Sequence, residues 1–253
     1  MMPLMIESLR WIHILAGGVG LIAFWIPVFL KKGSINHKKI GKVFVNAGYV
    51  VVIAGSLVLL LKLIALYGNG NSFRENKNSI ALVMFLGYLC LTTAAILRHG
   101  MLVLSHKKEQ TIHGTLLNYI FSYGCLIASA VLVLFGLVAQ PDSSILLYAM
   151  SPVGIVTYLQ INAYISGKKR SKKQWWYEHL SAMLIAGIAF HTAFLVFGSA
   201  RFIDLGLSGM LAIVPWLAPT FIGVPAIAIW ERHYRKKFND PLPSRKSKTE
   251  ATV

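Results

Sequence analysis

The sequence predicts an all-α polytopic membrane protein: one bundle of seven transmembrane helices, with the N-terminus outside and the C-terminus in the cytoplasm. Three observations predict it. Seven apolar stretches run through the 253 residues, each close to the roughly 20 residues that cross about 30 Å of hydrocarbon. The chain is 56% hydrophobic with a mean hydropathy of +0.62, richer than a soluble domain of this length carries. Its positive charge is gathered in alternate gaps between the stretches, as the preference of Lys and Arg for the cytoplasmic side dictates.

The spans read from hydropathy are Leu9–Leu30, Val43–Tyr67, Ser79–Leu104, His113–Val138, Ile145–Ser166, Glu178–Gly198 and Ser208–Trp230. Strands of such length cannot cross lipid as an open sheet, because the edge amides and carbonyls would be unsatisfied. The gap after the first span holds Lys31, Lys32, Lys38, Lys39 and Lys42, and the gap after the third holds Lys107 and Lys108. The gap after the fifth holds Lys168, Lys169, Arg170, Lys172 and Lys173, and the segment after the seventh adds seven more, from Arg232 to Lys248. The other side carries only Arg10, Arg74, Lys77 and Arg201, while Lys62 and Arg98 lie within spans.

The net charge of +16 is therefore a topology signal and does not describe a nucleic-acid footprint. Cys90 and Cys125 fall mid-span and read as small buried hydrophobes. The first span lacks a basic leader and a small-residue cleavage site, so it reads as an anchor and not a signal peptide. The polar, glycine-rich stretch 68–79 reads as a surface loop. Residues 1–238 form the transmembrane domain, and 239–253 read as a disordered basic tail lying near anionic lipid head groups. Trp175, Trp176 and Tyr177 read as interfacial anchors. Pro215, Pro219 and Pro225 predict a kinked seventh span.

The histidines carry the functional argument. Counted from the span ends at 1.5 Å per residue, His13 and His191 fall roughly 6–10 Å below the outer boundary. His99, His113, His179 and His37 form a second layer near the cytoplasmic side, whereas His106 and His233 lie in solvated basic segments. An ionisable residue within a span is a functional hypothesis, and interhelical hydrogen bonding is the plainer alternative.

Two imidazoles at one depth on different helices suit a b-type haem. The outer pair has Gly17 one turn after His13 and Gly187 one turn before His191, where a flat ring approaches the backbone, and Arg10 toward the surface for a propionate. The inner layer offers His113 with Gly114, and Arg98 beside His99. A catalytic metal is the competing use. Glu178, beside His179, is the only carboxylate adjoining a histidine cluster and could act as a supporting partner or a general base. The other carboxylates lie in loops, tails or span ends, which argues against a proton pump. Asn46, Asn118, Gln160 and Asn162 read as polar links between helices.

The stretch "WIHILAGGVGLIAFWIPVFLKKGSINHKKIGKVFV" resembles an uncharacterised bacterial membrane family, catalogued as domain of unknown function 2306. The likeness rests on His13 followed by Gly17, on the pair His37–Lys38 before Gly41, and on His113 opening a later span. It covers roughly the first half of the chain and departs after His113. It implies a bacterial inner-membrane protein in which His13, His37 and His113 belong to one pattern, and it carries no activity.

The leading expectation is a histidine-centred electron-transfer protein holding haem b on His13 and His191. A transporter or small-molecule-binding protein is the alternative. A membrane enzyme with a metal held by histidines at the cytoplasmic side is a second alternative.

Overall fold

The computed structural model describes residues 1–68, 74–105, 107, 113–167, 171–199, 202 and 209–240. Much of the 68–79 loop, His106, Arg201 and the tail beyond Asp240 lie outside the described residues. Among these residues the chain is helical throughout: α1 (Met2–Phe29), α2 (Ile35–Gly68), α3 (Lys77–Leu102), α4 (Leu116–Ala139), α5 (Ser144–Met150), α6 (Pro152–Ile165), α7 (Gln174–Ala193) and α8 (Val214–Lys237). A π-helical turn, Phe194–Gly198, continues α7, and a 3-10 turn, Gly209–Ile213, leads into α8. With α5 and α6 counted as one crossing, seven segments are long and apolar enough to cross a membrane. Large apolar side chains such as Leu15, Ile22, Ile127, Leu134 and Ile222 lie exposed along them, the arrangement lipid requires.

Several helices overrun the hydropathic spans at their N-terminal ends. α1 begins at Met2, not Leu9, and α2 at Ile35, not Val43. His37 therefore sits in the first turns of a helix and not in a loop. α7 begins at Gln174, which places Glu178 a full turn inside it. His113, by contrast, stands just before α4, whose N-cap is Thr115, its hydroxyl accepting from the amide of Asn118.

α3 is the most buried span and touches α2, α4, α6 and α7. One core cluster joins α1, α2, α3 and α7 through Phe24, Phe44, Ile96, Leu97, Ala186 and Phe190. A second joins α3, α4, α5 and α8 through Phe85, Leu132, Leu147, Met150 and Trp216. Cys90 and Cys125 are free.

The break in the fifth span lies at Ser151, which ends α5 and begins α6. Pro152 has no amide to donate there. Tyr88 of α3 occupies the gap. Its hydroxyl lies 3.0 Å from Met150 O and 2.9 Å from Ser151 O, and it accepts from the amide of Gly154 at 2.6 Å. Gly154 is required: a Cβ there would lie 2.4 Å from Ser129 Oγ and 2.6 Å from Cys125 O. The prolines of the last span behave otherwise, since α8 stays α-helical through Pro219 and Pro225.

Trp176 and Tyr177 do more than face an interface. Trp176 packs on Tyr234 and Phe238. Tyr177 is buried under the Arg235 guanidinium and donates to Asp240 at 3.0 Å, which fastens the start of α7 to the end of α8.

Candidate functional site

The structure does not bring His13 and His191 together. The Nδ1–H of His13 donates to Val51 O of α2 at 2.9 Å. Its ring lies against Gly55, where a Cβ would come within 3.2 Å of Nδ1. His191 uses both nitrogens elsewhere. Nδ1 donates to Gly187 O at 2.7 Å, and Nε2 accepts from the indole of Trp25 at 3.1 Å. Trp25 lies about 18 Å beyond His13 along α1.

The glycines beside the two histidines receive neighbouring helices. Gly17 has a Val51 methyl 4.0 Å from its Cβ position, and at Gly187 the Phe24 ring comes as near as 2.1 Å. Arg10 lines a shallow surface depression with Glu7, Trp11 and Ile14. The equal depths inferred from the span ends fail for a geometric reason. α1 begins at Met2, and α7 meets it at the contacts Gly20–Phe190 and Phe24–Gly187. Span ends are not flush, so equal counts from them are not equal depths.

His37 and His179 finish other helices. His37 donates from Nδ1 to Pro27 O at 3.2 Å. Lys32 Nζ donates to Pro27 O at 2.9 Å and to Val28 O at 2.6 Å. These are the carbonyls that the end of α1 leaves without an amide, and positive charge suits that end of a helix. Burial holds the Lys32 ammonium below the usual lysine range. His179 donates from Nδ1 to Gly100 O at 2.7 Å, near the end of α3. His13 and His37 thus join α1 to α2 at two levels, each imidazole reaching the other helix's backbone.

His99 and His113 belong to a different kind of centre. His99 Nε2 faces Glu178 Oε2 at 3.3 Å, and the two side chains are 6% and 2% exposed. One proton must lie between them for this contact to be a hydrogen bond. Gln160 Nε2 donates to Oε2 at 3.0 Å and Gln174 Nε2 to Oε1 at 2.9 Å. Each oxygen of the buried carboxylate thus has an amide donor, and α3, α6 and α7 meet on one acid. Tyr164, 0% exposed, lies between the two imidazoles, its ring 5.4 Å from that of His99 and 5.6 Å from that of His113. Arg98 Nε donates to Asn118 Oδ1 at 3.1 Å, and Asn118 Nδ2 donates to His113 O, which ties α3 to the start of α4.

Chemically, this is an acid, two imidazoles and a phenol held by amides in a low-dielectric interior, able to hold and pass protons or to bind a polar solute. Among the described residues, no three His, Cys, Asp or Glu side chains group so as to hold a metal ion. The sequence reading flagged His99, His113, Glu178, Gln160 and Asn118, but not Gln174 or Tyr164. A signal for Tyr164 was present: Gly154, Thr157, Ile161 and Tyr164 recur at spacings of three and four, one face of α6.

No family model, no curated protein and no solved structure matches this chain.

Proposed function

We propose that this chain is a multi-pass transporter or small-molecule-binding membrane protein whose working centre is the His99–Glu178 group. The observation that carries this reading is a carboxylate 2% exposed within a helix long and apolar enough to cross a membrane. Withdrawing a carboxylate from water costs several kcal/mol even after relaxation, and intramembrane acids of this kind mark solute and proton routes.

The end bearing the basic loops is placed in the cytoplasm, against anionic head groups, in a bacterial inner membrane. A reporter fused after Val253 is expected to be active only in cytoplasmic form, and activity only outside would reverse the orientation.

The experiment on function is a thermal-shift series on purified protein. It uses millimolar amino acids, carboxylates, amines and sugars. At least one class is expected to raise the Tm of the wild type, as binding to the folded state must, and to leave Glu178→Gln unmoved. His191→Ala is expected to respond like the wild type. No response from any class, or an equal response in Glu178→Gln, overturns the reading.

Haem b stands as a second reading because His37 and His179 both donate Nδ1–H to backbone carbonyls. That fixes the tautomer whose Nε2 carries the lone pair, as ligating imidazoles require. His191 is less suited, since its Nε2 accepts from Trp25. A Soret band in protein from haem-replete cells, lost in His179→Ala, would favour haem. A colourless, iron-free protein removes it.

A further inference from the structure

Two buried side-chain oxygens have no hydrogen-bond partner among the described residues: Ser122 Oγ and Tyr164 OH. Both residues are 0% exposed. An orphaned hydroxyl in a dry interior carries a desolvation penalty, so two of them in one place need a physical reason. They do occupy one place, the seam where α4 and α6 pack beside α3.

The seam is polar toward the basic end, and an apolar cluster of Ala95, Cys125, Ile161 and Ile165, with Leu91 and Phe121 against it, lies between that end and Tyr88. On α4 the buried face runs Asn118, Ser122, Cys125, Ser129. On α6 it runs Gly154, Thr157, Ile161, Tyr164. α3 adds Tyr88, Thr92 and His99. Three of its hydroxyls are committed to backbone carbonyls of their own helices: Thr92 to Tyr88 O, Ser129 to Cys125 O and Thr157 to Val153 O. Ser122 and Tyr164 are not. From Tyr88 at the broken span to His99 the seam rises about 16 Å along α3. One end of it meets the His99–Glu178 centre, with His113 beside Tyr164. Beyond the break the second core cluster, with Phe85, Leu132, Leu147, Met150 and Trp216, closes the bundle with apolar side chains.

We propose that the α3–α4–α6 seam holds a file of water molecules. It is open toward the basic end and closed where Ala95, Cys125, Ile161 and Ile165 pack together, and Ser122 Oγ and Tyr164 OH are its contact points. This deepens the reading of His99–Glu178 as the working centre, because it supplies that centre with protons. Along the file each oxygen accepts one proton on a lone pair and releases another. At its end the proton passes to the Glu178–His99 pair, and no electrons are transferred. Buried waters make two to four bonds to groups the protein leaves unsatisfied. The seam offers such groups on two of its walls, Ser122 Oγ on α4 and Tyr164 OH on α6.

Hydroxyl-radical footprinting of the folded protein in nanodiscs tests the proposal, since radicals made from a bound water attack the side chain beside it. Tyr164 is expected to be oxidised at least about tenfold faster than Phe85, a ring equally inaccessible from the surface but set in the apolar cluster, because only Tyr164 has water beside it. Labelling of Tyr164 as slow as that of Phe85 overturns the water file. A second measurement separates a wet hydroxyl from a dry orphan. In a wet seam Tyr164→Phe lowers the Tm or leaves it unchanged, whereas in a dry one it raises the Tm by removing an unsatisfied group, and that rise overturns the proposal. Slow labelling together with a solute-dependent Tm shift lost in Glu178→Gln would leave the binding centre standing and remove only its water supply.

Discussion

The histidines of this bundle are used in two opposite ways. His13 and His191 are satisfied one at a time, by a backbone carbonyl of a neighbouring helix and by a backbone carbonyl plus an indole. His99 faces a buried acid that two glutamines also hold. The first arrangement joins helices. The second keeps ionisable groups out of water at considerable cost. The difference teaches that a histidine inside a span gains functional meaning from its partner and not from its depth.

Breaking that comparison begins with its largest element. Glu178→Ala leaves His99 and two glutamine amides facing a cavity, and removing one partner of a buried pair costs about 3–5 kcal/mol. A chemical or thermal unfolding midpoint in detergent is expected to show it, and a loss no larger than that of an exposed substitution would demote the centre. Tyr88→Phe comes next. It strips the break at Ser151 of a hydroxyl bonded to two carbonyls and an amide, a loss of about 1–3 kcal/mol, read in the same way. Gly187→Ala should cost about 1–3 kcal/mol by overpacking, because a Cβ at that position meets the Phe24 ring. If it were neutral, room for a flat cofactor at the outer pair would have to be reconsidered. The smallest effect is expected for His13→Ala, about 0.6–2 kcal/mol, the range for interhelical polar contacts in membranes.

Much of the architecture was legible in the sequence because hydropathy reports lipid contact directly. Seven spans follow from it, and seven segments capable of crossing are present among the described residues. What hydropathy does not report is where a helix continues past the lipid. The segments Met2–Ser8, Ile35–Lys42 and Gln174–Tyr177 are helical, which puts His37 inside a helix and Glu178 a turn further from its helix's start. The acid counted as lying at a span end is instead the most buried carboxylate of the described residues.

Pairings between helices were the illegible part. Nothing in one sequence sets the register of α1 against α7, so His13 and His191 were matched by counting residues from ends that are not level. Proline was also ambiguous. At Pro152 the carbonyl left without an amide, Tyr148 O, accepts from Ser151 Oγ, and Tyr88 takes the amide of Gly154, whereas Pro219 and Pro225 leave α8 helical. Only the neighbouring helix distinguishes the cases.

The most direct test of the contrast is a pair of double-mutant cycles on unfolding stability. One takes His99→Ala with Glu178→Ala, the other His13→Ala with His191→Ala. Groups in contact couple by about 0.5–3 kcal/mol, and groups more than roughly 10 Å apart add within about 0.5 kcal/mol. The inner cycle is expected to lie well above that limit and the outer cycle within it. Additive inner substitutions, or an outer coupling as large as the inner one, would contradict the account.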